Sequence, residues 1–130
     1  MPDSRVLVVD DDPVILKLLE VNFEMEGFTV ILAHDGDEGI EVARSEQPDI
    51  IVSDIMMPKK SGLELVTEIK GDPATRDIPI ILLSAKAQNA DVRSGMEAGA
   101  DDYITKPFEP LDLVDRVNRL LSARASKRSS

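Results

Sequence analysis

Cysteine is absent from the chain. Disulfides, thiolate metal sites and cysteine nucleophiles are thereby excluded, and the composition fits a reducing compartment, the cytoplasm. No apolar run approaches the roughly 20 residues that a membrane-spanning helix needs, and the opening MPDSR lacks the basic segment and apolar stretch of a secretory leader. No membrane association is expected. Positive charge is scarce: 15 Lys and Arg against 25 Asp and Glu give a formal net charge of -10. Nucleic acid and anionic lipid are themselves negative and would be repelled, so direct nucleic-acid binding by this domain is not expected and cations are the favoured partners. Aromatic residues make up 3% of the chain, too few to sandwich a flavin ring, and the lone histidine, His34, reads as a surface or loop residue without a partner ligand.

What is present is a rhythm. Apolar runs of four to six residues, rich in Val and Ile, alternate with longer segments of helical period, the pattern of repeated βα units. In 130 residues there is room for one ordinary domain of five such units. Strands are expected near 5–10, 28–33, 49–54, 79–84 and 101–105, with helices between them. The first helix should begin at Pro13 behind an Asp12 cap, with Ile15, Leu18, Leu19, Asn22 and Phe23 along one side and Gly27 at its end. A second follows Asp35 and Gly36, offers Ile40 and Ala43 for burial and stops before Pro48; the last follows Pro107 and Pro110, with Leu113, Val117, Leu120 and Leu121 in register. Beyond Leu121 the apolar period is lost, so residues 1–122 are taken as the domain and 123–130, with Arg124, Lys127 and Arg128 among serines, as a flexible tail or the start of a linker.

The first, third and fourth strand segments are apolar almost throughout, as strands covered on both faces are. The expected fold is α/β: a doubly wound five-stranded parallel sheet of flavodoxin-like (βα)5 type, with strand order 2-1-3-4-5. Four of the apolar runs stop on polar residues: Val6 to Val9 on Asp10 and Asp11, Ile50 to Ser53 on Asp54, Ile80 to Leu83 on Ser84, and Tyr103 to Thr105 on Lys106. In a parallel sheet these groups meet at the carboxyl edge, where open α/β sheets bind ligands.

Three aspartates brought together there repel one another unless a cation joins them or a pKa rises. Carboxylate oxygens, with retained water and a loop carbonyl such as that of Met56, suit Mg2+ or Mn2+, and the lack of nearby His or Cys argues against zinc. Such a centre attracts phosphoryl oxygens, and Lys106 adds positive charge from the other side. Asp54, at the tip of a central strand, is the best placed carboxylate to become an aspartyl phosphate, with the Ser84 hydroxyl as donor to a phosphoryl oxygen. Met57 and Pro58 shape the adjoining turn, and Lys59 and Lys60 read as solvated.

The motifs LVVDDD at 7–12, DIIVSDIMMPKKSG at 49–62, ILLSA at 81–85 and GADDYITKPF at 99–108 give the chain its resemblance to the receiver domain of two-component response regulators, from about Arg5 to Leu121. The resemblance implies that Asp54 takes a phosphoryl group from a histidine of a sensor kinase or phosphotransfer protein while Asp10 and Asp11 hold Mg2+. It implies a switch in which Ser84 moves toward the phosphate and Tyr103 turns inward, altering the face made by the fourth helix, fifth strand and fifth helix. It further implies a cis peptide before Pro107 and, in the transcription-factor branch, a homodimer through that face. Asp101, Asp102, Asp112, Arg116 and Arg119 are similar to part of that branch's ion-pair set, whereas Val92 stands where a basic residue is usual, with Arg93 beside it. On this reading the chain is a signalling switch that catalyses its own phosphorylation and slow dephosphorylation, not an enzyme for external substrates. A hydrolase with an aspartyl phosphate intermediate would carry an acid two residues after its nucleophile, where this chain has Met56, and a substrate-covering cap. A flavin carrier would need a phosphate-cradling loop in place of DDDP, and a degenerate receiver would lack a member of the reacting set.

Overall fold

A computed structural model of the chain describes residues 4–57, 60–85 and 88–129. Strands and helices alternate along it: β1 (Arg5–Val9), α1 (Pro13–Met25), β2 (Thr29–Ala33), α2 (Gly36–Glu46), β3 (Ile50–Asp54), α3 (Gly62–Gly71), β4 (Ile80–Ser84), α4 (Asn89–Ala98), β5 (Asp102–Thr105) and α5 (Pro110–Ser129). All four pairings are parallel and the order is β2-β1-β3-β4-β5. The strand segments read from the sequence agree with these to within a residue at each end.

Alternation within each strand sends successive side chains to opposite faces. Val6 and Val8 of β1, Ile50 and Val52 of β3, and Ile81 and Leu83 of β4 meet Leu16, Leu19 and Phe23 of α1 and Leu113, Val114, Val117 and Leu121 of α5. Leu7, Val9, Ile51, Ile80 and Leu82 face the other way, against Ile40 and Ala43 of α2, Leu65, Val66 and Ile69 of α3, and Val92 of α4. Burial on both sides explains why β1, β3 and β4 are continuous apolar runs. Phe23 and Phe28 stand edge to face, ring centroids 5.6 Å apart, and pin the end of α1 to the start of β2.

The turns follow from local chemistry. Asp12 caps α1 by accepting from the Val14 amide at 2.9 Å, with Pro13 in the first turn. Asp35 caps α2 through the Glu38 amide at 2.8 Å, and Ser61 and Glu64 form a capping box on α3. Gly27 after α1 takes a φ of 93°, and α2 closes on Gln47 at φ 48°, just before Pro48.

Two readings from helical period are corrected. In α1, Leu19 and Phe23 are buried as expected, but the third buried residue is Leu16, while Leu18 is 40% exposed and Ile15 half-buried. The sequence carries two apolar stripes in this helix, and period alone does not say which one the sheet takes. The last helix does not end at Leu121 but continues to Ser129. Arg124 Nη1 donates to the Asp49 carbonyl at 2.7 Å, fastening the added turns beneath the start of β3. Pro58 lies outside the described residues, as does Lys59. Lys60 is not simply solvated: it is hydrogen-bonded to Glu68 and lies 3.8 Å from Asp37. Among the described residues no helix is long and apolar enough to cross a membrane.

The choice of stripe is testable by truncation. Leu16→Ala should cost about 2 to 5 kcal/mol, as large-to-small changes in a packed core do, and Leu18→Ala under about 1 kcal/mol. Urea unfolding of the two variants checks this, and equal losses would contradict the assigned face.

Candidate functional site

Chain order reverses between β1 and β3, which are neighbours although β2 separates them in sequence. The crevice beyond the carboxyl ends of these strands is the place the topology reserves for a ligand. Asp10 follows β1 and is 1% exposed; Asp54 ends β3 and is 7% exposed; Asp11 is exposed beside them. Oxygens of the three carboxylates lie within 4.8 Å of one another.

Each buried carboxylate is held by the backbone that follows it. Asp10 Oδ1 accepts from the Asp12 amide at 2.9 Å, and Asp54 Oδ1 from the Ile55 amide at 3.0 Å. Behind Asp54, Ser53 Oγ donates to the Asp54 carbonyl at 2.9 Å. Gly62, the first residue of α3, presses on the same peptide: a Cβ there would lie 2.4 Å from the Asp54 carbonyl oxygen. Only a glycine permits that approach.

Lys106 reaches in from the end of β5, its Nζ 3.5 Å from Asp10 Oδ2 and 3.4 Å from Asp54 Oδ1. Its own amide donates to the Ser84 carbonyl at 2.8 Å, and the bond to Pro107 is cis, as the family resemblance implies. Ser84 is fully buried at the end of β4, one residue past Leu83, the register partner of Asp54. Met56 stands two residues beyond Asp54 in the bend that leaves the strand, its side chain 59% exposed. Tyr103 is buried on β5 opposite Leu82, a layer below this edge. Asp10, Asp11, Asp54 and Lys106 thus converge, Ser84 and Met56 stand on the same rim, and the backbone of Tyr103 lies farther down its strand. His34 is an exposed residue paired with Glu38 at 3.0 Å.

Sequence reasoning passed over three contributors. Asp12 was read as a cap, yet its amide also holds Asp10; the DDDP spacing was the available clue. Ser53 and Gly62 brace the peptide of Asp54, and only the close approach in three dimensions reveals this.

Burial is the largest influence on both Asp10 and Asp54 and pushes their pKa values up. For Asp10 the hydrogen bond from Asp12 opposes it first; for Asp54 the Lys106 ammonium does. In neither case does the opposition win. Asp10 Oδ2, although within range of the Lys106 charge, makes no hydrogen bond and is buried. A buried carboxylate oxygen without a hydrogen bond, at the centre of an all-oxygen cluster, fits a hard divalent cation.

A family model described as the response regulator receiver domain matches residues 6–118. The chain belongs to this family. The receiver is 43% identical over 117 residues, 90% of its length, to the DNA-binding dual master transcriptional regulator RpaA of Synechocystis sp., covering 48% of that protein. It is 42% identical over 119 residues, 92% of its length, to the alkaline phosphatase synthesis transcriptional regulatory protein PhoP of Bacillus subtilis, covering 49% of it. The chain therefore spans about half the length of the curated relatives it matches. Among solved structures, the Francisella response regulator 1452 receiver domain superposes with a TM-score of 0.86 at 35% identity, with 98% of this chain and 99% of that one covered. The receiver is accordingly a signalling domain of two-component systems, and its flavodoxin-like strand order stands as expected.

The raised carboxylates fix the sign of a pH dependence. Without metal, the folded state holds protons on Asp10 and Asp54 at pH values where the unfolded chain has already lost them. The contribution of this pair to stability is therefore complete below the ordinary aspartate value of 3.8 and is lost as pH rises through the raised values. Protons and metal compete for the same oxygens, so the gain in melting temperature from millimolar Mg2+ should grow from about pH 5 to about pH 8. Calorimetric scans at the two pH values check this; a gain that shrinks with pH would refute the cluster as the binding site.

Proposed function

We propose that the receiver accepts a phosphoryl group on Asp54 from a phosphohistidine of a sensor kinase or phosphotransfer protein, and passes the change to the face made by α4, β5 and α5. The observation that carries this reading is the buried Asp54 carboxylate at the tip of a central strand, flanked by Asp10, Asp11 and Lys106. Its Oδ1 is engaged by the Ile55 amide and faces Lys106, contacts that leave Oδ2 for phosphorus.

In the proposed step an Asp54 oxygen forms a bond to phosphorus on the side opposite the leaving imidazole. The phosphorus–nitrogen bond breaks, its electron pair stays on the imidazole nitrogen, and that nitrogen takes up a proton. The metal is proposed to be Mg2+, with Mn2+ as the alternative, held by Asp10, Asp11, Asp54 and the Met56 carbonyl. When bound, it supplies positive charge to the phosphoryl oxygens. Lys106 balances charge from the opposite side, and the Ser84 hydroxyl donates to a phosphoryl oxygen. Slow attack by water on phosphorus returns Asp54 and inorganic phosphate. The domain catalyses its own modification and turns over no external substrate.

Ser84 and Tyr103 are the proposed switch residues, because the Lys106 amide ties the end of β5 to Ser84 and Tyr103 lies on that same strand. A donor protein finds apolar surface on α1, which starts at the rim: Val14 is exposed there, and Leu18, Val21 and Met25 follow along the helix. A homodimer through the α4, β5 and α5 face would use residues that now pair within one chain: Asp102 with Arg116 at 3.0 Å, Asp101 with Lys70 at 3.1 Å, and Arg119 with Asp115 at 2.6 Å. Asp112, in the first turn of α5, completes the acidic side of that set. Residues 1–122 constitute the proposed domain and 123–130 the start of a linker, helical to Ser129. RpaA and PhoP are transcriptional regulators by name. By that analogy a cytoplasmic output outside this acidic domain, one that binds DNA, is the proposed target.

With acetyl phosphate and Mg2+, intact-mass measurement should find one phosphoryl group on the wild type and none on Asp54→Asn; undiminished labelling of the variant would refute the acceptor. Lys106→Ala should keep metal binding yet lose most of the response of residues 88–122 in amide exchange when beryllofluoride is added. A full response would remove Lys106 from the coupling.

A further inference from the structure

Helix α4 buries a glycine. Among its described residues Gly95 is the one fully buried position, while Val92 and Ala98 are partly covered. Glycine is a poor helix former and is disfavoured in a helix interior, so a role is to be sought in what the missing side chain admits. A Cβ on Gly95 would lie 2.9 Å from Cδ2 and 3.2 Å from Cε2 of Tyr103, and 3.2 Å from Cδ1 of Leu82. The Tyr103 ring therefore occupies the space that any other residue at 95 would claim. A Cβ at 95 would press the ring toward another of the staggered χ1 positions.

We propose that Gly95 is a positioning residue: by lacking a side chain it admits the Tyr103 ring to its buried place between α4 and β5, and so sets how strongly Asp54 is coupled to the α4, β5 and α5 face. Gly95 touches no reacting atom; a Cβ there would press first on Tyr103 and, less closely, on Leu82. The coupling half of this statement rests on the function proposed above; the packing half does not. A larger residue at 95 leaves the phosphoryl chemistry intact and holds the ring out, so the pocket fills without moving the face.

The composition supplies the probe. Tyr103 is the sole tyrosine and there is no tryptophan, so intrinsic emission reports on this one ring. Acrylamide quenching of the wild type and Gly95→Ala, without phosphoryl donor, should show a quenching constant at least twofold higher in the variant. An unchanged constant overturns the packing claim. Phosphorylation of Gly95→Ala by acetyl phosphate should equal that of the wild type by intact mass, while its amide-exchange response to beryllofluoride over residues 88–122 falls by more than half. An undiminished response overturns the coupling claim. Failure of the wild type to take up phosphate sinks the function reading instead, and leaves the quenching result standing. If Gly95→Ala does not fold, the ring is the predicted obstacle, and Gly95→Ala combined with Tyr103→Ala should fold; a double variant that also fails overturns the proposal.

Discussion

Asp10 and Asp54 are nearly buried at one edge of a sheet with, among the described residues, one ammonium within reach, and this undercompensated charge is the constraint to which the other parts of the molecule answer. Burial raises both carboxylates, and the opposing contributions of Lys106 and the backbone amides do not cancel it. Two apolar replacements would remove the cost altogether, as replacement of buried ion pairs often does. A cation brought among these oxygens would offset that cost.

The sheet makes that charge sustainable. β1 and β3 are covered on both faces by apolar packing, so the ends of these strands are fixed by side chains that have no alternative partners. The amides of Asp12 and Ile55 then hold one oxygen of each carboxylate, and Gly62 closes on the peptide of Asp54 from the start of α3. Positioning here comes from the helices that begin immediately after each strand: their first turns sit at the site because parallel crossovers place them there. The same architecture puts Lys106 at the end of β5, with its amide on the Ser84 carbonyl, so that one lysine is anchored to the neighbouring strand and charged toward the two carboxylates at once.

Much of this was legible in the sequence because the signals were redundant. Continuous Val and Ile runs ending on Asp10, Asp54, Ser84 and Lys106 state both the strand and its polar edge, and a parallel sheet allows few ways of assembling them. What was not legible depends on which of two equivalent choices the tertiary structure takes. Leu16 and Leu18 have the same chemistry and lie on adjacent stripes of α1, and only the sheet decides between them. The continuation of α5 past Leu121 has no apolar period to announce it; its visible fastening is a side-chain bond from Arg124 to a carbonyl 75 residues away, which no local pattern encodes. Gly62 and Gly95 were silent for the same reason, since the space a glycine leaves is defined by residues distant in sequence.

Those two glycines stand at the two ends of the proposed route from pocket to surface. At the first, backbone packs on backbone beside Asp54: the Gly62 amide donates to the Ile55 carbonyl at 2.9 Å, and there is no room for a side chain at 62. At the second, a helix packs on an aromatic ring, whose χ1 has more than one staggered position. Between them lie the Lys106 contact to Asp54, its amide bond to Ser84, and β5 itself, which carries Tyr103. On the proposed reading, close backbone packing near the charge and a ring that can change its staggered position near the surface let a local electrostatic event have a distant readout. Were the order reversed, with the soft contact at Asp54, the added charge would be accommodated where it arose and the α4, β5 and α5 face would have nothing to respond to.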